Sequence, residues 1–218
     1  MAVSRRLASA TRAITNRGEV PRFIGEIPSF KAPNGKLSFD SIPALECAIY
    51  LEWSPRVALI EFEPEWFEFP ETEDLPAVRC LPDFRATLDT GEFRMIEAKS
   101  SRERLSPKAV TQLEIIRQHF ARRGIEYDIV YRSELKKNGF IDTISLLRRF
   151  GRLSFPPDAL ARALTRLNSG KSADLETWVG QARQVRVPLS VLHHLLYHQR
   201  LPLIYRKVLH PEIRHWRE

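Results

Sequence analysis

The sequence predicts an α/β protein built in two parts, and three observations carry that expectation. Two β-type runs flank an Asp-Thr-Gly turn at 89–91, a helical pattern follows at 104–123, and a β-rich run closes the series at 125–131. Beyond Phe155-Pro156-Pro157-Asp158 the pattern turns helical. Paired prolines interrupt a helix and an aspartate caps the next, so a boundary is expected there. The expected organisation is a basic flexible arm over 1–20, an α/β domain over 21–150 and a small helical domain over 151–218.

The first helix is expected over 41–53, with Ser41 as cap and Pro43 in its first turn. Leu45, Ala48, Ile49 and Trp53 form its apolar stripe, Glu46 flanks that stripe, and Glu52 falls on another side. An acid beside a buried face either reaches solvent or points into a polar site, and spacing alone favours solvent. The acidic stretch Glu61-Phe62-Glu63-Pro64-Glu65-Trp66-Phe67-Glu68-Phe69 reads as a strand pair with an outward charged face.

The hairpin comes next. Cys80 to Leu88 and Phe93 to Lys99 are its strands, with Gly91 free to take a positive φ in the turn. Glu97 and Lys99 are two apart, so both leave one face of the second strand. Asp83 lies near the turn-distal end of the first strand and Glu97 to Lys99 near that of the second, so the hairpin brings the three charges together. The helix that follows has Ser106 as N-cap, Pro107 at its first position, apolar residues at 109, 110, 113, 116 and 120, and Gly124 at its end.

Three helical stretches are expected in the last part, at about 158–168, 172–184 and 188–199. Leu201 to Tyr205 and Ile213 are expected to form a short wing or tail, which makes this a winged-helix-like module. His194 and His198 stand at i, i+4, but no Glu lies between them as in His-Glu-x-x-His and no third ligand is evident. A solvated or DNA-facing histidine cluster with His193 is the simpler expectation. Arg200, Arg206 and Lys207 read as soluble surface with the capacity to touch phosphates.

The 218 residues carry a net charge of +7 and a sequence pI of about 9.7, consistent with a phosphate-bearing partner. Residues 41–78 hold nine acids against one arginine, whereas 79–150 and 151–218 are net basic. Cys47 and Cys80 sit in apolar runs and read as reduced core residues of a cytoplasmic protein. No apolar run reaches membrane-spanning length. Arg5, Arg6, Arg12 and Arg17, with no acid in the first 18 residues, suggest an arm that touches DNA or a partner.

Taken in order, strand, turn, strand, helix, strand matches the core of the restriction-endonuclease-like PD-(D/E)xK fold. The order Ser41-x-x-x-Leu45-Glu46 on a helix, the segment Phe67-Glu68-Phe69-Pro70, then Pro82-Asp83-Phe84 and Ile96-Glu97-Ala98-Lys99, resembles the TnsA-type endonuclease subunit of heteromeric transposases over roughly residues 20–135. The resemblance implies Glu46, Asp83, Glu97 and Lys99 as catalytic residues. It also implies Mg²⁺ or Mn²⁺ held by Glu46, Asp83, Glu97 and the carbonyl of Ala98, with Arg102, Arg104 and Lys108 against DNA. Glu97 stands where that family may show glutamine. The implied partners are double-stranded DNA at transposon ends, a DDE-type transposase subunit and an AAA+ ATPase regulator, the last bound by the C-terminal domain. The rival expectations are a stand-alone restriction or repair nuclease and a non-catalytic DNA-binding assembly subunit.

Overall fold

The computed structural model describes residues 23–167, 170 and 172–205. The expected arm over 1–20, and Arg206, Lys207 and Ile213, lie outside the described residues. The chain forms two compact units that divide between Glu134 and Leu135, rather than at 150/151 as expected.

The first unit is mixed α/β. A short antiparallel pair, β1 (Gly25–Pro28) and β2 (Lys36–Phe39), leads into α1 (Ile42–Trp53). Ser41 caps α1 as expected, its Oγ accepting the Ala44 N–H at 3.2 Å. Then come β3 (Val57–Phe62), β4 (Phe67–Phe69), β5 (Val78–Cys80), β6 (Phe84–Leu88) and β7 (Phe93–Lys99). After a 3-10 turn at Arg102–Arg104, α2 (Pro107–Ala121), β8 (Glu126–Tyr131) and the four-residue α3 (Arg132–Leu135) complete the series.

The main sheet has the order β3-β6-β7-β8, and β4 pairs with β5 in a separate ribbon. β6 and β7 form the expected antiparallel hairpin, with Gly91 at φ 88° in its turn, a conformation that a Cβ would strain. β8 runs parallel to β7, so α2 is a crossover between parallel neighbours. Ser106 caps α2 through its Oγ, which accepts the Ala109 N–H at 3.2 Å.

Alternation decides what each strand face meets. On β6, Phe84, Ala86 and Leu88 are buried. On β7, Met95 joins Phe67, Phe69, Leu113, Ile116, Phe120 and Tyr127 in one apolar cluster, which seats α2 and the β4–β5 ribbon on a single face of the sheet. Ile96 and Ala98 leave the opposite face, and α1 packs against β7. Glu97 and Lys99 share the face of Met95.

The second unit is helical: α4 (Phe140–Gly151), α5 (Pro157–Leu167), α6 (Leu175–Gln184) and α7 (Leu189–Tyr197). The sequence places 135–150 in the first domain. Instead α4 buries Phe140, Ile141, Ile144 and Leu147 and packs against α7, so it belongs to the helical core. The paired prolines therefore lie inside this unit, where Pro157 starts α5. The expected wing is not seen among the described residues; Leu203 makes one isolated parallel bridge to Ala173 instead.

His198 is exposed, as the expected solvated cluster requires, while His193 and His194 are half-buried, and two of the three rings bind the chain's own backbone. His194 Nδ1 donates to the Phe150 carbonyl at 3.1 Å and His198 Nε2 donates to the Gly151 carbonyl at 3.0 Å, satisfying acceptors at the end of α4. The His193 ring lies 4.6 Å from that of Phe150. Gly151 is required there because an added Cβ would lie 2.2 Å from Tyr197 Cδ1. No helix among the described residues is long and apolar enough to cross a membrane.

Candidate functional site

Asp83, Glu97 and Lys99 meet in one cleft of the first unit, about 390 Å³ in volume. Asp83 stands one residue before β6, and its Oδ2 accepts the Ala98 N–H at 2.7 Å. Glu97 and Lys99 project together from β7, and Lys99 Nζ is paired with Glu97 Oε1. The second Glu97 oxygen accepts the Tyr127 hydroxyl at 3.2 Å. Ala109, Gln112, Leu113 and Ile116 of α2 close one wall, while Trp66, Arg79 and Cys80 form another.

The electrostatics follow from enclosure. Desolvation and the neighbouring Glu97 push the Asp83 carboxyl up to about 8, against the opposing pull of the Ala98 N–H and Lys99. Burial lowers the Lys99 ammonium, but Glu97, their hydrogen bond and Asp83 outweigh it and hold the charge in place. The Tyr127 phenol is pushed up by burial and by Glu97, so it serves as a donor. Burial and Glu97 likewise push the Cys80 thiol up to about 12 and keep it protonated.

Glu46 does not line this cleft. It is buried on α1, and its Oε2 stands 3.1 Å from Arg132 Nε. Its chain neighbour Cys47 is the α1 residue that feels Asp83 and Glu97, behind burial, in a raised thiol pKa. Arg102, Arg104 and Lys108 are exposed on the 3-10 turn and the first turn of α2, beyond the end of β7, and do not line the cleft. Among the described residues no three His, Cys, Asp or Glu side chains form a ready metal-holding group.

The cleft contains two acids that the sequence reading passed over. Asp40, just before the cap of α1, lines the cleft and raises both Asp83 and Lys99. Glu63 is only 8% exposed, and its N–H donates to the Asp83 carbonyl at 2.9 Å. The sequence pattern places it on an outward charged face. That reading holds for Glu65 and Glu68, which are exposed, whereas Glu61 is half-buried and grips Arg85 across the strands at 2.6 and 2.8 Å. Glu63 escapes the alternation because β3 ends at Phe62 and Glu63 adopts φ 42°. The available signal was Pro64, which breaks a strand immediately after an acid.

Asp83 and Glu97 fit a hard divalent cation. Mg²⁺ is commonly bound by one or two carboxylates, with waters and substrate phosphate completing the shell. Burial and Glu97 both disfavour the ionised Asp83 carboxylate, so a cation between these acids would relieve repulsion. The Ala98 N–H points to Asp83, and Glu46 is engaged with Arg132, so these carboxylates form the core of the candidate site. No known protein family matches the chain, and no curated protein matches it.

Proposed function

We propose that this protein is a metal-dependent DNA endonuclease of the PD-(D/E)xK type that hydrolyses one strand at transposon ends within a heteromeric transposase. The convergence of Asp83, Glu97 and Lys99 in one cleft, with the Asp83 carboxyl desolvated, is the observation that carries this reading. The chemistry rests on these residues, whereas the transposon context rests on the resemblance of motifs.

Asp83 and Glu97 would hold Mg²⁺ or Mn²⁺, which lowers the pKa of a bound water and neutralises charge on a phosphate. The Ala98 N–H fixes the Asp83 carboxylate through Oδ2, and the Tyr127 hydroxyl fixes Glu97 through Oε2. Lys99 keeps its positive charge beside both acids, so it can orient an attacking water or stabilise negative charge developing on phosphorus-bound oxygens. Leu113 and Ile116 of α2 give the cleft an apolar patch beside these groups, and low local dielectric there strengthens their fields.

The deciding experiment is cleavage of element-end DNA with Mg²⁺ or Mn²⁺, with and without the transposase partner, for wild type and Asp83→Ala. Strand-specific nicking that needs both the partner and Asp83 supports the transposase assignment. Partner-independent cutting abolished by Asp83→Ala would instead mark a stand-alone nuclease. No cutting in any combination, with DNA or ATPase binding intact, would replace the catalytic role by an assembly role.

A further inference from the structure

Trp66 stands beside the acidic centre in an arrangement that core packing does not explain. It leads into β4 and is 41% exposed, whereas Trp53 and Trp178 are 8% and 1% exposed. Its indole lines the same cleft as Asp83, Glu97 and Lys99. The Arg79 guanidinium lies 4.2 Å from the indole centroid. Arg79 Nε is 3.4 Å from Glu68 Oε1, its partner in the β4–β5 register, so a cross-strand contact holds the cation over the ring.

An exposed cation–π contact is a weak stabiliser. Fully burying a large apolar side chain contributes more. An indole kept at a polar cleft thus forgoes stabilisation that a buried position would give. A nucleic-acid strand supplies what such a wall matches: a flat π face for the indole and an anion for the guanidinium.

We propose that Trp66 and Arg79 form a nucleobase-stacking subsite, in which Trp66 takes the face of an unpaired base and Arg79 the adjoining phosphate. A base within a duplex has both faces covered by its neighbours, so the preferred substrate is DNA that is single-stranded or locally opened beside the cut. This rests on the DNA-cutting reading for the nature of the substrate and adds the state of the strand.

The test uses the full chain in EDTA, where nothing is cut, with a short single-stranded oligodeoxynucleotide and a blunt duplex of the same sequence. Anisotropy of the labelled DNA gives affinity, and tryptophan emission reports stacking. Wild type is expected to bind the single strand more tightly and to lose emission on binding. Base–aromatic stacking is worth about 1–3 kcal/mol, so Trp66→Ala should weaken single-strand binding about 5–150-fold and remove the quenching. Trp66→Phe should keep most of the affinity while losing the quenching, and Arg79→Gln should lower the salt dependence.

Single-strand binding by a folded Trp66→Ala equal to wild type, or a wild-type preference for duplex, overturns the proposal. Cleavage assays in Mg²⁺ separate it from the nuclease reading. A Trp66→Ala variant that binds and cuts as wild type removes the subsite and leaves the nuclease. Trp66-dependent binding by a protein that never cuts removes the nuclease and leaves the subsite.

Discussion

The Asp83 carboxylate accepts the Ala98 N–H at 2.7 Å, which fixes an acid at the start of β6 between Glu97 and Lys99 of β7. That bond locks the acid into a crowded electrostatic position, since Glu97 and burial both favour its protonated form.

Asp83 should therefore destabilise the metal-free fold as pH rises. Its folded pKa is raised to about 8, above the ordinary carboxylate value of 3.8, so its ionisation opposes folding progressively from near pH 4 to pH 8. In EDTA, Asp83→Asn should leave Tm nearly unchanged at pH 4 and raise it at pH 8. Each kcal/mol recovered is worth about 2–4 °C for a chain of this size. Equal Tm values for the two proteins at pH 8 would refute the electrostatic account.

Lys99 should matter to rate more than to stability. Loss of one preorganised group that stabilises developing charge costs about 10²–10³ in rate. Lys99→Met is expected to lower single-turnover DNA cleavage by that order, with DNA affinity changed much less. Lys99→Arg should restore little, because the planar fork does not reproduce a compact ammonium against Glu97. Unchanged cleavage by Lys99→Met would reduce the lysine to an ion-pair partner.

Glu46 and Arg132 make an asymmetric pair, with side chains 11% and 38% exposed. Removing the arginine strands charge on the more enclosed partner. Arg132→Met should cost about 1–3 kcal/mol in chemical denaturation, and Glu46→Gln less. The double variant should cost less than the sum of the two. The reverse order of single-variant costs would contradict the pairing.

Gly151→Ala should destabilise the helical unit. The new methyl collides with the Tyr197 ring, and overpacking of this kind costs about 1–3 kcal/mol. Adding Tyr197→Ala should make the combined loss smaller than the two separate losses, as judged by denaturant midpoints. Full additivity would place the strain elsewhere.

Much of the first unit was legible because its signals are local. Ser41 and Ser106 cap helices through bonds three residues away, and Gly91 closes a tight turn. A strand's two-residue period put Glu97 and Lys99 on one face, and the hairpin carried Asp83 to them. These relations need only backbone geometry and short spacing, so the sequence contained them.

Only tertiary packing decided the rest. Glu52, on another side of α1 from the apolar stripe, is nevertheless buried, and it accepts the Ser29 hydroxyl at 2.5 Å and the Phe30 N–H at 2.8 Å. Glu46 met Arg132, Glu63 turned into the cleft, and α4 joined the C-terminal helices instead of the sheet. Periodicity states which face of an element is apolar, but not which distant element will cover it. A charged residue beside such a face takes its partner from that distant element, and folding alone brings the two together.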